Sequence, residues 1–335
     1  MITNKRYFKL NFHKVSCDKR YQILIDKLNF FITLARERHF GKAAMKLGIT
    51  QPSLSAAIRQ LEETLGVMLI NRGSRFQNLT DEGKKVLNWA LKITADTRTM
   101  KEELKTLAKG LSGKLIIGAV PTAIPAIPEI TNIFLDKHPS VNLTLISCNS
   151  DEILGALERF EIDVGITYVT NESLGKLKTF PFYSESYCLA THIRNKPPNC
   201  KKISWSEASH FRLCLLTDDM QNRRILNNRF IQEGIKINPI LEANSLIALL
   251  AHIQTGRWTS ILPLSLVSSL NHNKEIITIP MEEPQISHKI GLVALPRNPT
   301  TPLIAAFLKE AELIAIKHNN IKKQPVSNKK YPSIG

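Results

Sequence analysis

Residues 50–66, which read TQPSLSAAIRQLEETLG, decide the fold of the first part of the chain. Thr50 is a good N-cap, and Pro52 is tolerated in a first helical turn, where no backbone hydrogen bond is lost. Apolar side chains then recur on one helical face, at Leu54, Ile58, Leu61 and Leu65. Gly66 ends the pattern, so the sequence predicts a helix over residues 50–65.

Two shorter apolar stripes precede this helix and predict two more helices over residues 27–49. Three short helices with a tight turn before the last are typical of a helix-turn-helix. Residues 67–80 fit a strand, a basic turn and a second strand, as in the wing of a winged helix. The polar and basic side chains of this arrangement predict a DNA-binding surface. The candidate DNA-binding residues are Lys42, Thr50, Gln51, Pro52, Ser53, Ser55, Ala56, Arg59, Arg72 and Arg75.

Residues 81–111 predict one long helix, because no Pro or Gly occurs between residues 84 and 109. Its apolar residues alternate at spacings of four and three, a heptad seam that is typical of paired helices. The candidate dimerisation residues are Val86, Ala90, Ile93, Met100, Leu104 and Leu107, with Thr97 as the weak position. A surface helix packed on its own domain is the alternative. A dimer would place two recognition helices on a pseudo-palindromic site in double-stranded DNA.

Strands and helices alternate from residue 113 to residue 316, which predicts an open α/β sheet in two linked lobes. Loops at the carboxyl ends of such strands bind small ligands, often anions, through free backbone N–H groups. The candidate effector-binding residues are Pro121, Thr122, Ala123, Asn149, Ser150, Thr167, Tyr168 and Arg223. Ser150 is expected to cap a helix and Arg223 to clamp a carboxylate. A plain role as a cap or turn residue remains open for each.

The formal net charge of +16 is distributed unevenly along the 335 residues. Residues 27–112 carry +7, and residues 1–26 and 317–335 carry +4 and +5, whereas residues 113–316 are neutral. This asymmetry indicates a polyanion-binding part joined to a neutral globular part. Residues 1–26 are expected to be an N-terminal extension, and residues 317–335 a basic disordered tail.

The sequence lacks the signals of several protein classes. It contains no run of about 18 apolar residues for a transmembrane helix and no secretory signal. The five cysteines form no CxxC pair, so no metal site is predicted and a cytoplasmic location is expected. The usual motifs of nucleotide-dependent, zinc-dependent and serine-dependent enzymes do not occur, so the prediction is a non-enzyme without a cofactor.

The chain resembles the LysR-type transcriptional regulators along most of its length. In the first part, the resemblance rests on HFGKAA (39–44), TQPSLS (50–55), LGVMLINR (65–72) and LTDEG (79–83). In the second part, it rests on GKLIIG (113–118), EIDVGI (161–166) and GRWTSILP (256–263). The resemblance covers about residues 27–315.

The resemblance implies three consecutive parts. These are a winged helix-turn-helix over residues 27–83, a long linker and dimerisation helix over residues 84–112, and an effector domain over residues 113–316. The effector domain is expected to have two α/β lobes like those of a periplasmic binding protein. The implied function is sequence-specific DNA binding by a homodimer or homotetramer, modulated by a small-molecule effector such as a small carboxylate.

The resemblance also implies roles for single residues. Gln51, Pro52 and Ser53 are expected to approach bases and backbone at the start of the recognition helix. The next reading position is often basic in the family but is Ala56 here, which leaves Arg59 as the long basic side chain of this face.

Three further hypotheses follow from the sequence. Some members of the family sense oxidants through a cysteine pair, for which Cys200 and Cys214 are the candidates, although Cys214 lies in an apolar segment typical of an inert core thiol. Other functions are a cytoplasmic small-molecule-binding α/β protein with a basic oligomerisation arm, or a sequence-blind DNA packager. Deletion of residues 1–112 would separate the binding protein from the regulator.

Overall fold

The computed structural model describes residues 17–72, 76–170, 174–271, 275–282 and 287–323. The chain forms two compact units, residues 1–100 and residues 101–335. Most of the predicted N-terminal extension, residues 1–16, and the end of the predicted tail, residues 324–335, lie outside the described residues.

The first unit contains helices and a short hairpin. In chain order these are α1 (Cys17–Glu37), α2 (Phe40–Leu47), α3 (Gln51–Leu65), β1 (Ile70–Arg72), β2 (Phe76–Leu79) and α4 (Asp81–Lys109), which continues into the second unit. The strands β1 and β2 pair antiparallel and form the two sides of the predicted wing. The turn between them, residues 73–75, lies outside the described residues.

The helix α1 begins well before the predicted start at residue 27. Residues 17–26, which the sequence assigns to an extension, are the first part of α1. No Gly or Pro interrupts the chain between Cys17 and Glu37, so the helix continues upstream without a break. Leu24 and Ile25 are partly buried, so this part of the helix packs against the unit.

The core of the first unit comes from the apolar faces of its three helices. Its fully buried side chains include Phe31, Leu34, Ala43, Leu54, Ile58, Leu61 and Leu69. Gly48 and Gly66 end α2 and α3 with φ of 66° and 70°, the left-handed conformation that glycine adopts without strain. The tight turn between α2 and α3 follows from Gly48 and from the N-cap Thr50.

At Gly83, close packing and not backbone conformation requires a glycine. The backbone N–H of Gly83 donates to the hydroxyl of Thr80 at 2.8 Å, and that hydroxyl donates to the carbonyl of Met68 at 2.6 Å. A Cβ at position 83 would overlap the carbonyl oxygen of Leu69. The start of α4 is therefore pressed directly against the chain that leads into β1.

The second unit opens with a parallel arrangement of strands and helices. It begins with β3 (Gly113–Ala119), a 3₁₀ turn (Pro121–Ala126), α5 (Pro128–Lys137), β4 (Val141–Ser147), α6 (Ser150–Glu158) and β5 (Val164–Tyr168). The strand β3 pairs parallel with both β4 and β5. The carboxyl ends of the three strands therefore lie at one edge of the sheet.

The remaining elements complete the sheet and build the second lobe. They are β6 (Lys178–His192), a 3₁₀ turn (Ile193–Asn195), α7 (Trp205–Ser209), β7 (Cys214–Leu216), α8 (Gln221–Gln232), β8 (Leu241–Ala243), α9 (Leu246–Gln254), β9 (Thr259–Pro263), α10 (Leu264–Leu270), β10 (Ile276–Pro280), β11 (Ser287–Ala294) and α11 (Pro302–Lys323). The larger sheet has the strand order β10-β6-β11-β5-β3-β4, with β9 also paired to β6.

The strand β6 belongs to both lobes. Residues 178–186 pair with β11, next to β5 and β3, whereas residues 187–191 pair with β9 and residues 188–192 with β10. We call the β3–β4–β5–β11 side, with α5, α6 and α11, the first lobe. The β7–β10 side, with α7 to α10, is the second lobe. The two predicted lobes are confirmed, and one continuous strand joins them.

Several elements of the second unit are absent from the sequence prediction, namely β6, α7, β8, α10 and β10. At the C-terminus, α11 runs to Lys323, so residues 317–323 are helical and not part of a disordered tail. This stretch contains neither Gly nor Pro, and the apolar pattern of α11 leads straight into it. No helix in the described residues is both long and apolar enough to cross a membrane.

Candidate nucleic-acid interface and ligand cleft

The helix α3 has one buried and one exposed face. Leu54, Ile58 and Leu61 are buried, and the predicted reading residues Gln51, Pro52, Ser53, Ala56 and Arg59 are exposed, with Ser55 half-buried. An exposed helix face of short polar side chains at the N-terminal turn suits insertion into the major groove. The structure thus brings these predicted residues onto one surface.

The start of α3 is held by side-chain hydrogen bonds. The hydroxyl of Thr50 accepts from the backbone N–H of Ser53 at 3.3 Å and lies 2.8 Å from the Ser53 hydroxyl. The Gln51 amide oxygen lies over Gly41 in α2, where an added Cβ would be 3.4 Å away. Lys42, in the first turn of α2, is exposed beside this position.

Arg59 lies on the C-terminal half of α3. Together with Glu62, Glu63, Gly66, Val67 and Met68 it lines a surface cavity of 320 Å³. Buried Glu62, which the sequence analysis overlooked, accepts a hydrogen bond from the backbone N–H of Leu69 at 2.9 Å. This contact fixes the chain between α3 and β1. Of the two predicted wing arginines, Arg72 ends β1, and Arg75 lies outside the described residues.

The heptad seam of α4 divides into buried and exposed positions. Ala90 is fully buried within its own chain and Val86 is half-buried, whereas Ile93, Met100 and Leu104 are exposed, Leu104 by 62%. Trp89, next to Ala90 on the same helix, is 63% exposed and therefore outside the core. The burial of Leu107 is not described. The exposed apolar residues leave a surface that another helix can cover.

Seven of the eight predicted effector-binding residues lie at the carboxyl ends of β3, β4 and β5 and meet at one edge of the sheet. Pro121, Thr122, Ala123, Ser150, Thr167 and Tyr168 are buried, and Asn149 is half-buried. The hydroxyl of Thr122 lies 3.0 Å from that of Tyr168, and the hydroxyl of Ser150 lies 2.8 Å from that of Thr167. The edge is therefore lined by paired hydroxyl groups.

The cap of α6 differs from the prediction. Asn149, and not Ser150, is the N-cap, and it forms a capping box with Glu152 in which each side chain bonds the backbone of the other, at 2.9 Å. Ser150 is the first helical residue, and its hydroxyl turns inwards to Thr167. The prediction failed because Asn caps as well as Ser, and Glu152 stands at the capping-box spacing from Asn149.

Two polar contacts join the lobes in front of these hydroxyls. The amide of Asn149 donates to the carboxylate of Asp219 at 3.2 Å, and the Arg224 guanidinium meets Asp151 at 3.1 Å. The pKa of Asp219 is lowered by hydrogen bonds from Thr217 and Asn149 and by the charge of Arg224. We call these two contacts the cleft closure.

Arg223 does not take the predicted position of a carboxylate clamp. Its side chain is 5% exposed and forms ion pairs with Asp218 and Glu242 of its own lobe. It also donates to the backbone carbonyl of Leu216 at 2.7 Å. These carboxylates neutralise the guanidinium, so the residue that reaches the first lobe is the neighbouring Arg224.

An acidic residue that the sequence did not predict as functional lies beside Tyr168, the effector-binding candidate at the end of β5. Glu185 on β6 is 1% exposed and accepts hydrogen bonds from the hydroxyls of Tyr168 at 3.0 Å and Tyr183 at 3.2 Å. Burial raises the pKa of its carboxyl to about 7, against the opposing effect of the hydrogen bonds. The alternation of Tyr183, Glu185 and Tyr187 in the sequence is the signal that could have revealed this shared face.

The cysteines do not form the reactive pair considered from the sequence. Cys214 is fully buried, and burial raises the pKa of its thiol to about 12. A protonated thiol is a poor nucleophile, so Cys214 behaves as a core residue. Cys200 is half-buried. In the described part of the chain, no group of three or more His, Cys, Asp or Glu side chains could hold a metal ion.

A winged helix-turn-helix, a long helix and a two-lobed α/β domain define a class of ligand-responsive DNA-binding proteins. Residues 25–84 match the family described as "Bacterial regulatory helix-turn-helix protein, lysR family", and residues 108–312 match "LysR substrate binding domain". The chain therefore belongs to the LysR family of transcriptional regulators, as the resemblance implies. It is a DNA-binding regulator with an effector-binding domain.

Characterised relatives span almost the whole chain. The hydrogen peroxide-inducible genes activator of Dickeya chrysanthemi is 28% identical over 276 residues, which cover 82% of this chain and 90% of the relative. A probable nitrogen assimilation transcriptional activator of Synechococcus elongatus is 26% identical over 288 residues, 84% of this chain and 92% of the relative. These relatives are transcriptional regulators, which points to a protein that is not an enzyme.

Solved structures share the fold. A variant of full-length OxyR from Pseudomonas aeruginosa has a TM-score of 0.65 at 22% identity and covers 86% of this chain and 94% of its own. The regulator CbnR in complex with its target DNA has a TM-score of 0.61 at 22% identity, with coverage of 87% and 99%. The fold class predicted from the sequence is confirmed by these neighbours.

Proposed function

We propose that this regulator reads a pseudo-palindromic operator as a homodimer or a pair of dimers, with the exposed face of α3 in the major groove. Thr50, Gln51, Pro52, Ser53, Ser55 and Ala56 face the bases and adjacent backbone, and Lys42, Arg59, Arg72 and Arg75 contact phosphates or bases. The division of α3 into a buried apolar and an exposed polar face supports this proposal most directly. Because its target is DNA, we place the protein in the cytoplasm.

The dimer uses the exposed part of the seam on α4. Val86, Ile93, Met100, Leu104 and Leu107 pair with the same residues of a second copy, while Ala90 supports the helix from within its own unit. The exposed side chain of Trp89, one helical turn before Ile93, adds to this apolar surface. Burying exposed apolar side chains between two helices stabilises the pair.

The effector is a small carboxylate that enters the cleft between the lobes. It contacts Pro121, Thr122, Ala123, Asn149, Ser150, Thr167 and Tyr168 of the first lobe and Arg224 of the second. A carboxylate there takes the place of Asp151 beside Arg224 and of Asp219 beside Asn149, whose present contacts form the cleft closure. Effector binding thus exchanges contacts within the chain for contacts to the ligand, which changes the relation of the lobes.

The test of the reading face is base-specific DNA binding. The wild type selects sites from a random DNA library, and anisotropy then measures its binding to the selected site and to single-base variants. Gln51→Ala is expected to lose about 1–3 kcal/mol of discrimination at one base pair of each half-site. Gln232→Ala, an exposed glutamine of the second unit, is the matched control. Equal weakening on every sequence would contradict the assignment of Gln51 to base reading.

A further inference from the structure

The carboxyl group of Glu185 occupies a closed site made by three strands. It lies on β6 between Tyr183 and Tyr187 of the same face, and Tyr168 reaches it from β5. On β11, His288 stands directly opposite Glu185 in the strand register, and its ring centroid is 6.3 Å from that of Tyr168. These three tyrosines and His288 are the titratable groups that face Glu185 within the described part of the chain.

A line of hydrogen bonds connects this carboxyl group to the cleft and to the second lobe. The hydroxyl of Thr122, at the end of β3, lies 3.0 Å from the Tyr168 hydroxyl, which donates to Glu185. On the other side, the Tyr187 hydroxyl bonds that of Tyr168 and accepts a hydrogen bond from Asn222 of α8 at 3.2 Å. The line therefore starts at a proposed effector contact and crosses to the lobe on the other side of the cleft.

The number of protons on Glu185 limits which atom donates in the bonds among Thr122, Tyr168 and Glu185. A carboxylate has no proton to donate, so an ionised Glu185 requires the single Tyr168 proton. The Tyr168 oxygen must then accept the proton of Thr122, and the Thr122 hydroxyl offers only lone pairs to the cleft. If Glu185 is protonated on the oxygen that faces Tyr168, its O–H can donate to Tyr168, the Tyr168 proton can turn to Thr122, and the Thr122 proton then becomes available to the cleft.

We propose that Glu185 is a specificity-determining residue: its protonation converts Thr122 from a hydrogen-bond acceptor into a donor towards the cleft, so that a carboxylate effector binds together with one proton. This inference rests on the proposed function of the cleft. Ionised Glu185 repels an anion and presents lone pairs to it, whereas neutral Glu185 removes the repulsion and supplies a donor. One buried residue thereby links effector binding to pH.

The surroundings of Glu185 keep its proton exchangeable near neutral pH. Burial raises the pKa of Glu185 to about 7, and burial also lowers the pKa of His288, the residue opposite Glu185 on β11. Carboxylate binding is therefore strongest below pH 7. Above pH 7, each pH unit weakens it by up to about tenfold, because one proton must be taken up with each ligand.

Calorimetric titration of the full-length protein tests the proposal. Formate, acetate, succinate and benzoate serve as probes, with the corresponding amides as neutral counterparts, between pH 6 and pH 8.5. Repeating each titration in buffers of different ionisation enthalpy gives the number of protons taken up. The wild type is expected to take up nearly one proton per bound carboxylate at pH 8 and none per bound amide.

Two variants and a control localise the proton. Glu185→Gln keeps the shape and donates permanently, as the neutral acid does, so it should bind carboxylates at pH 8 as tightly as the wild type does at pH 6. Tyr168→Phe interrupts the line and should reduce the pH dependence to the part that the charge of Glu185 causes. Glu158→Gln, at an exposed position on α6, should behave as the wild type.

The outcomes separate this inference from the function on which it rests. Carboxylate binding without proton uptake, or with the same pH dependence in Glu185→Gln, overturns the role of Glu185 and leaves the cleft as the effector site. Failure of every probe to bind the wild type and Glu185→Gln at all pH values overturns both the carboxylate assignment and the inference.

Discussion

The two units of this regulator use polar side chains in opposite ways. On α3, Gln51, Ser53 and Arg59 are exposed to solvent, where a molecule outside the chain can contact them. In the second unit, Thr122 and Glu185 are buried and bonded to other residues of the chain. Exposed polar groups act by contact, whereas buried groups act by changing protonation or partners. In the function that we propose, the first kind reads DNA and the second kind responds to a ligand.

The largest effect is expected where the first unit is packed most tightly. Gly83→Ala places a methyl group on the carbonyl of Leu69, so the start of α4 must move away from the strand hairpin. We expect the free energy of unfolding of the first unit to fall by about 3 kcal/mol. Differential scanning calorimetry of the full chain measures it, and DNA binding should be lost with it.

Gly41→Ala is the matched control for this prediction. Its added Cβ approaches a side-chain atom of His39 at 3.1 Å and not a backbone atom, so the cost should stay below about 1 kcal/mol. Equal destabilisation by the two substitutions would contradict the close packing at Gly83.

The next effect concerns Glu185, the buried acid of the second unit, and depends on pH. The folded-state pKa of Glu185 is raised from 4.5 to about 7, so between these values the folded state binds more protons than the unfolded state. Stability therefore falls as the pH rises through this range, by up to about 3 kcal/mol, and levels off above it.

Urea unfolding between pH 5 and pH 8 measures this slope. Glu185→Gln should flatten it and leave the stability at pH 5 nearly unchanged, whereas Glu158→Gln should keep the slope of the wild type. A second unit whose stability does not decrease towards pH 8 would show that Glu185 is ionised in the fold at no cost.

The smallest effect is expected at the exposed cleft closure. Arg224→Ala removes the contact to Asp151, and because both side chains are accessible to water, the loss of stability should be below about 1 kcal/mol. Carboxylate affinity should nevertheless fall, because the ligand loses its guanidinium partner. Arg159→Ala, which removes an exposed ion pair with Glu161, is the control for stability. Carboxylate affinity equal to that of the wild type would place the effector elsewhere.

The first unit could be predicted from the sequence more completely than the second. The helix α3 could be predicted because its cap, its apolar spacing and its stop residue all lie within residues 50–66. The heptad pattern of α4 likewise depends only on residues within the helix itself. Both patterns predict which side chains are exposed, and the structure differs mainly at Ala90, which its own unit buries.

The contacts of the candidate ligand site in the second unit could not be predicted, because they join residues that are far apart in the chain. Tyr168 meets Glu185 across β11, and Asn222 meets Tyr187 from another lobe. Pro181 and several polar residues also obscure the strand pattern of β6. Arg223 looked like a ligand clamp because the sequence does not show that β8 brings Glu242 to its side.

The continuity of β6 through both lobes limits how the effector domain can move. A hinge of two flexible linkers would let the lobes swing apart freely, but here a backbone ladder runs from Lys178 to His192 without interruption of the strand. The register of β6 against β11 shifts near Ile290 and Gly291, opposite Tyr183 and Pro181, and this is the weakest point of the ladder. A bulge of this kind bends its strand and increases the local twist, so we expect any rotation of one lobe against the other at this irregularity, two residues from Glu185.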